Sequence, residues 1–111
     1  MPNNVKLYYD ETGLPRARGE INQEALASFL ECDIQRDKDL LMELLKQTKQ
    51  VTDKKNPRYE AKGKAHRIII NQDEVIIDPL YDPGIIPSQI SHIQFITILS
   101  RWLSFLNQAS N

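Results

Sequence analysis

The C-terminal stretch Ser88–Asn107 constrains the fold more than any other part of the 111-residue chain. Its polar side chains recur every three or four residues, a spacing that places them on one narrow stripe of a helix. Most of the other side chains are large and apolar, whereas a surface helix normally has a narrower apolar face. We therefore expect a helix that the rest of the chain covers on two or more sides. The polar stripe is Gln94, Thr97, Arg101, Ser104 and Gln108, and the apolar residues are Ile90, Ile93, Phe95, Ile96, Ile98, Leu99, Trp102, Leu103, Phe105 and Leu106.

Two serines can cap the start of this helix. Ser88 or Ser91 can accept hydrogen bonds from its first turn, with Pro87 just outside the helix or in that turn. The stretch is short and carries a polar stripe, so it does not indicate a membrane span. Two helices predicted over residues 23–51 carry enough large apolar side chains to cover it. We therefore expect a monomer rather than a homodimer, with Trp102 buried within one chain.

The composition indicates one globular domain over residues 1–111. The chain is long enough to bury a core without disulfides, and 41% apolar with 26% charged residues is typical of a folded protein. Cys32 is the only cysteine, so it has no internal disulfide partner, which fits a reducing compartment. The N-terminus lacks the basic and apolar regions of a signal peptide. We expect a cytoplasmic protein.

The N-terminal half predicts a hairpin followed by two helices. Val5–Tyr9 and Leu14–Arg18 have the composition of strands and are separated by residues that suit a type I turn. A short helix is predicted over roughly 23–31, with Asn22 as its cap. After a kink, a longer helix is predicted over roughly 37–51.

The C-terminal half predicts a loop, a second hairpin and the last helix. Thr52–Lys64 has no apolar period, whereas Ala65–Ile70 and Glu74–Ile77 are rich in β-branched residues around a polar turn. The resulting order, ββααββα, is that of an α+β domain. We expect one antiparallel sheet built from the two hairpins, with the helices packed on one face and the long C-terminal helix at the centre.

The sequence contains no pattern that indicates catalysis. His66 opens a predicted strand and His92 lies among apolar residues, positions where a lone histidine is usually structural or on the surface. Cys32 could act as a nucleophile only with a distant histidine, a pairing that any such chain permits. The four glycines are far apart, so they form no phosphate-binding loop, and no element carries metal ligands at the required spacing. We expect a non-enzyme with no catalytic residues, no metal and no cofactor.

Charge is unevenly distributed along the chain. Residues 46–67 carry eight basic and two acidic side chains, residues 1–45 five basic and nine acidic, and residues 68–111 one basic and four acidic. A flexible basic segment can hold nucleic-acid phosphates, or it can simply be a solvated helix end and loop. One hypothesis is therefore an RNA- or ribosome-associated factor that binds through this segment. Its candidate residues are Lys54, Lys55, Arg58, Lys62, Lys64 and Arg67.

Acidic side chains surround the predicted second hairpin, with a tyrosine beside them. Charge steers a partner and an aromatic side chain anchors it, so this group predicts a surface for a basic protein; alternatively, exposed loops are simply acidic. Our leading hypothesis from the sequence is a protein–protein inhibitor or immunity-type protein whose basic partner could be a toxin. The contacting residues would be Asp73, Glu74, Asp78, Tyr81 and Asp82.

Several segments together resemble one bacterial family. They are Tyr9–Gly13 with Arg16 and Arg18, Glu24 with the apolar face of Leu26, Phe29 and Leu30, the run Gly63–Ile77, and the closing helix through Phe95, Trp102 and Phe105. In this order they resemble the YacL-like family over most of the chain. The resemblance implies a small bacterial cytoplasmic protein with no assigned catalytic residues. The composition, rich in isoleucine, lysine and asparagine, is also similar to that of immunity proteins that neutralise toxic nucleases.

Overall fold

Residues 5–108, which the computed structural model describes, form three α-helices and six strands. In chain order the elements are β1 (Lys6–Tyr9), β2 (Pro15–Arg18), a 3-10 helix (Ile21–Gln23), α1 (Glu24–Phe29), a π-helical turn (Leu30–Ile34), α2 (Lys38–Thr52), β3 (Tyr59–Lys62), β4 (His66–Ile70), β5 (Val75–Pro79), β6 (Ser88–Ile90) and α3 (His92–Gln108). The strands form a two-stranded sheet, β1–β2, and a four-stranded antiparallel sheet in the order β3–β4–β5–β6.

The first hairpin forms where the sequence predicts it. Its turn is closed by the Asp10 carboxylate, which accepts hydrogen bonds from the backbone N–H groups of Thr12 at 2.8 Å and of Leu14 at 3.0 Å. Gly13 has a φ of +86°, in the left-handed region that glycine adopts without strain. The local residue preferences therefore account for the turn of this hairpin.

The α+β class is confirmed, but the two hairpins do not share one sheet. Among the described residues β1 and β2 pair only with each other, and β2 packs against α1. The second sheet is instead widened by β3 and β6, which the sequence analysis missed. β3 lies within the segment predicted as a loop and β6 within the segment predicted as helix. Both strands are too short to display a recognisable alternation of apolar and polar residues.

The predicted second hairpin forms the centre of the four-stranded sheet. Its register places Ile68 opposite Ile77 and Ile70 opposite Val75, and all four side chains are buried. On this face α1 contacts β5 and β6, and α2 contacts β3 and β4. The opposite face carries half-buried residues such as Ile69. The expectation that helices pack on one face therefore holds for this sheet.

The two N-terminal helices occur in the predicted order, but the first begins at a different residue from the one predicted. Asn22 does not cap α1, because it lies within the 3-10 helix and α1 begins at Glu24 without a side-chain cap. The expected kink is the π-helical turn, which ends at Gln35 with a φ of +53°. Asp37 then caps α2 by accepting a hydrogen bond from the Leu40 N–H at 3.0 Å.

The last helix begins at His92 rather than at Ser88. Ser91 is its cap: the Ser91 Oγ accepts from the Gln94 N–H at 3.1 Å, while the Gln94 Oε1 accepts from the Ser91 N–H at 3.0 Å. Ser88 has a different role, since it lies in β6 and its buried Oγ accepts from the Leu26 N–H at 3.1 Å. Both serines were predicted as possible caps, and the residue that caps the helix is Ser91.

Helix α3 supplies a large part of the core. Trp102 is fully buried and donates its indole N–H to the Gln35 carbonyl at 2.8 Å. On the hairpin side, Tyr9 stacks on Phe105 with ring centroids 4.4 Å apart. Along its length α3 packs on α2, so α1 and α2 hold the sheet-facing positions beside it. Other parts of the same chain thus cover most of the apolar side chains of α3, but Ile93 is 76% exposed.

Among residues 5–108 no helix combines the length and the apolar character needed to cross a membrane.

Candidate functional site

The acidic candidates lie at two separate places. Asp73 and Glu74 belong to the turn between β4 and β5, and Asp78 lies near the other end of β5. Four residues of extended strand separate the Cα atoms of Glu74 and Asp78 by about 13 Å. Tyr81 and Asp82 follow β5 in the segment that leads to β6. The structure therefore brings Asp78, Tyr81 and Asp82 to one end of β5 and leaves Asp73 and Glu74 at the other.

The group at the C-terminal end of β5 includes an exposed aromatic side chain. Tyr81 is 72% exposed, and beside it the Asp82 carboxylate accepts a hydrogen bond from the Gly84 N–H at 3.1 Å. Asp78 lies opposite Arg67 in the β4–β5 register. An acidic and a basic residue are thus neighbours at this end of the strand, which lowers the local negative charge.

Four of the six basic candidates lie on or beside one edge strand of the four-stranded sheet, and Lys54 and Lys55 lie in the loop that precedes this strand. β3 is the edge strand on this side among the described residues, and its Lys62 lies opposite Arg67 of β4. Lys64 occupies the turn between these strands and Arg58 immediately precedes β3. The chain from Arg58 to Lys64 spans about 20 Å in extended form. We define the β3 basic surface as Lys54, Lys55, Arg58, Lys62, Lys64 and Arg67.

One carboxylate lies within the β3 basic surface. Glu60, in β3, forms ion pairs with Arg58 at 2.9 Å and with Arg67 at 3.6 Å. The four lysines of the surface are all exposed, and none forms an ion pair with another residue of the described range 5–108. Their positive charges therefore face solvent uncompensated, while the two arginines are held in place by a shared partner.

The segment that carries Lys54 and Lys55 is anchored to the sheet by Gln72, which the sequence analysis did not single out. The Gln72 Nε2 donates to three backbone carbonyl groups at the end of α2 and in the following loop, at 3.1–3.4 Å. Lys54 itself has a φ of +61° and donates its N–H to the Val51 carbonyl at 3.1 Å. One end of the β3 basic surface is therefore fixed by backbone geometry and by a side chain from the β4–β5 turn.

The other end is fixed by a buried carboxylate–imidazole pair. The Asp33 carboxylate, from the π-helical turn, accepts from the N–H groups of Ala65 at 3.2 Å and of His66 at 3.1 Å. It also lies 3.0 Å from the His66 Nδ1. A Cβ atom on Gly63 would collide with the Asp33 Oδ2, so only glycine fits there without displacement. The β3–β4 turn, with Lys64 at its tip, is thereby fastened to the helical layer.

The Asp33–His66 pair also has the form of a base held by an orienting carboxylate. Its side chains are only 1% and 3% exposed, however, so a substrate has no access to the imidazole in this structure. Neither residue lines either of the two cavities described below. The pair was not predicted, because its two members are 33 residues apart. No local sequence pattern connects a residue after α1 with the start of β4. The geometry identifies it as a structural clamp.

The cavities on the described surface include the following two. One, of about 430 Å³, adjoins Cys32 and is bordered by Arg36 and by an Arg16–Glu31 ion pair with an N–O distance of 3.0 Å. The other is a wide, shallow groove between β1 and α3. Within residues 5–108 no group of three or more histidine, cysteine or acidic side chains could hold a metal ion. Neither cavity overlaps the acidic or the basic candidates.

Tyr59 marks the boundary between the β3 basic surface and the acidic part of α2. Burial raises the pKa of Tyr59 above its ordinary 10.0, and the negative charge of Glu43 adds to this effect. The phenol therefore stays protonated through the physiological range and remains a neutral hydrogen-bonding group at this boundary.

The architecture defines a small α+β domain in which helices back a four-stranded antiparallel sheet with one basic edge. A family model matches residues 5–80, which include β1 to β5 and the first two helices. The chain therefore belongs to the uncharacterised protein family UPF0231. This is the family of the YacL-like proteins, so the resemblance in the sequence is confirmed. No curated protein and no solved structure matches the chain.

Proposed function

We propose that this UPF0231 protein is a non-catalytic RNA-binding module, and that the β3 basic surface holds the RNA phosphates. The proposal rests on four basic side chains, Arg58, Lys62, Lys64 and Arg67, along about 20 Å of one sheet edge. Lys54 and Lys55 add their charges from the loop that precedes β3. One strand of B-form DNA presents a phosphate about every 3.4 Å along the axis, and the rise of an A-form RNA helix is somewhat smaller, so this length spans at least about six phosphates. The number of cations and the reach of the surface therefore suit one stretch of phosphate backbone.

The elements that carry the charges favour RNA over sequence-specific DNA recognition. The basic side chains lie on a strand, a turn and a loop rather than on an exposed helix that could enter the major groove of DNA. Double-stranded RNA is recognised mainly through its shape, phosphates and 2′-hydroxyl groups across a shallow minor groove. An open sheet edge can make contacts of this kind.

The anchoring of the surface supports the same function. Asp33 holds the turn that carries Lys64, and Gln72 holds the loop that carries Lys54 and Lys55. A surface that is already ordered loses less conformational entropy on binding. The acidic remainder of the chain would repel RNA if it were interspersed with these residues. The carboxylates that adjoin the surface have basic neighbours: Glu60 is paired with Arg58 and Arg67, and Asp78 lies opposite Arg67 in the sheet. Asp53, next to Lys54, is paired with Lys49.

Fluorescence anisotropy with a labelled hairpin RNA at low salt tests this function. The combined replacement Lys54→Ala, Lys55→Ala and Lys62→Ala removes three exposed charges that form no ion pair in the described structure. We expect at least about a tenfold loss of affinity, because phosphate neutralisation supplies most of such binding. The matched control is Lys6→Ala, Arg18→Ala and Lys38→Ala, which removes the same net charge from the first hairpin and the start of α2. Equal losses in both variants would contradict the proposal.

A second candidate function retains the hypothesis of a basic protein partner. The specific observation in its favour is Tyr81, which is 72% exposed beside Asp82. An exposed aromatic side chain within a group of acidic residues can anchor a partner that charge has steered. Asp73 and Glu74 would then form a separate contact at the other end of β5. Capture of a basic protein that survives nuclease treatment, and that is lost on combining Tyr81→Ala with Asp82→Ala, would favour this function over RNA binding.

A further inference from the structure

The two edges of the four-stranded sheet have opposite characters. The β3 edge carries lysines and arginines, which protect an edge strand from pairing with another chain. The β6 edge carries no such protection, because no charged residue occurs between Asp82 and Arg101. An uncharged edge strand with exposed apolar neighbours is a natural site for strand pairing.

The hydrogen bonds at the two ends of β5 reveal which of its backbone groups face β4. The Asn71 N–H donates to the Glu74 carbonyl at 3.0 Å, and the Leu80 N–H donates to the Ala65 carbonyl at 2.9 Å. Bonded pairs alternate along an antiparallel ladder. Even-numbered residues of β5 therefore bond to β4, and odd-numbered residues direct their N–H and C=O groups towards β6.

The free backbone groups of β6 follow from this alternation. Val75 and Ile77 lie opposite Ile90 and Ser88 in the register, so these pairs exchange the β5–β6 hydrogen bonds. Gln89 lies between them, and its N–H and C=O groups point away from β5. No other strand among residues 5–108 pairs with β6 on that side. This side of β6 thus presents one donor and one acceptor at a single residue, while the 3-10 helix and α1 also pack on the strand.

Apolar side chains flank this donor and acceptor on both sides. Ile86, two residues before β6, is 50% exposed, and Ile93, in the first turn of α3, is 76% exposed. The Gln89 side chain is also exposed. A symmetric pairing about Gln89 would bring the segment around Ile86 of one chain towards the partner's Ile93.

We propose that β6 pairs antiparallel with β6 of a second copy of this chain, about a two-fold axis through Gln89. A second copy suits the edge because each Gln89 supplies both the donor and the acceptor that the other needs, as an isologous contact requires. The stretch from Pro83 to Ser100 carries no aspartate, glutamate, lysine or arginine, so β6 itself adds no like charges to the contact. The two β3 edges then lie at opposite ends of an eight-stranded sheet, about 33 Å apart by strand spacing. Their positive charges are therefore kept well separated.

The proposed contact does not involve Trp102, which is covered within one chain and needs no partner. It departs from the expectation of a monomer and uses β6 together with the exposed Ile93 of α3. The contact is small, because β6 contains three residues, which places it in the class of weak and transient interfaces.

Sedimentation velocity over protein concentrations from about 5 µM to 1 mM, a range suited to a weak interface, tests the dimer. We expect the weight-average sedimentation coefficient to rise from the monomer towards the dimer value. Gln89→Pro removes only an N–H that faces away from β5, so it is compatible with the fold and blocks the symmetric pair. Ile93→Lys brings a charge against the apolar segment around the partner's Ile86. Both variants should raise the dimer dissociation constant at least about tenfold, whereas Met42→Lys, at an apolar side chain on α2 that is 53% exposed, should not change it.

Cross-linking at the axis provides a readout that is independent of interface strength. In a Cys32→Ser background, Gln89→Cys places two thiols side by side on the same face of the joined sheet, and mild oxidation should give a covalent dimer. Met42→Cys is the control and should remain monomeric under the same conditions. A wild-type protein that stays monomeric at 1 mM would overturn the proposal. So would a dimer that Gln89→Pro and Ile93→Lys both leave intact, or cross-linking that is no faster for Gln89→Cys than for the control.

Discussion

Replacement of Asp33 by alanine should destabilise the protein strongly, although Asp33 is a polar residue in the short π-helical turn rather than part of the apolar core. Its carboxylate accepts from two backbone N–H groups, of Ala65 and His66, and lies within hydrogen-bond distance of the His66 Nδ1. Alanine leaves these buried groups without their acceptor. Each unsatisfied buried donor costs about 1–3 kcal/mol, and water entering the space can satisfy part of the loss. We therefore expect the free energy of unfolding to fall by about 3–5 kcal/mol.

Urea unfolding at pH 7, followed by tryptophan fluorescence, measures this loss. Trp102 is the only tryptophan and is fully buried, so its emission reports on the packed core. Asp33→Asn keeps one acceptor oxygen but turns an NH2 group towards the donors, so we expect about half the loss. Asp39→Ala, at an exposed site in the first turn of α2, is the control and should cost less than about 1 kcal/mol. A cost below about 1 kcal/mol for Asp33→Ala would show that the buried pair does not clamp the β3–β4 turn.

Three further changes test other parts of the structure. Trp102→Ala should cost about 3–5 kcal/mol in urea unfolding, as a large truncation in the core; a cost below about 1 kcal/mol would contradict its burial within one chain. Gly63→Ala should cost about 1–3 kcal/mol because the new methyl group displaces the fixed Asp33 carboxylate, whereas Gly84→Ala at an exposed loop should cost much less. The raised pKa of Tyr59 means that the folded state holds this proton more tightly than the unfolded state. Stability should therefore fall as the pH rises from about 10 through the folded pKa, and absorbance titration should show a late phenol ionisation that Tyr59→Phe removes; no change in the titration would contradict this account.

Elements whose signals are local were predicted well from the sequence. The first hairpin is determined by its Asp10–Gly13 turn, and α2 by its cap Asp37 and its apolar period. β3 and β6 were missed because they are short and depend on pairing with strands elsewhere in the chain. For the same reason Ser88 was interpreted as a helix cap, when its hydroxyl in fact meets the start of α1.

The candidate surfaces were likewise predicted well only where residues close in the sequence are also close in the fold. The basic residues were recognised as a group because they are close together in the sequence. They also stay close in the fold, since β3 pairs with β4. The acidic residues looked like a group as well, but β5 is extended and places Glu74 and Asp78 at opposite ends. The anchors Asp33 and Gln72 were not recognised, since each acts on a segment far from it in sequence. Composition can indicate a charged surface, whereas its shape and rigidity require the tertiary contacts.

The salt dependence of RNA binding tests the central claim most directly. If the β3 basic surface neutralises about six phosphates, the plot of log K against log salt concentration should have a slope of about −4 to −5. The combined Lys54→Ala, Lys55→Ala and Lys62→Ala variant should reduce this slope to about −2 to −3, since each lost phosphate contact lowers it by about one. The control variant with Lys6, Arg18 and Lys38 replaced should keep the wild-type slope. A wild-type slope near zero, or the same slope for both triple variants, would contradict RNA binding through this surface.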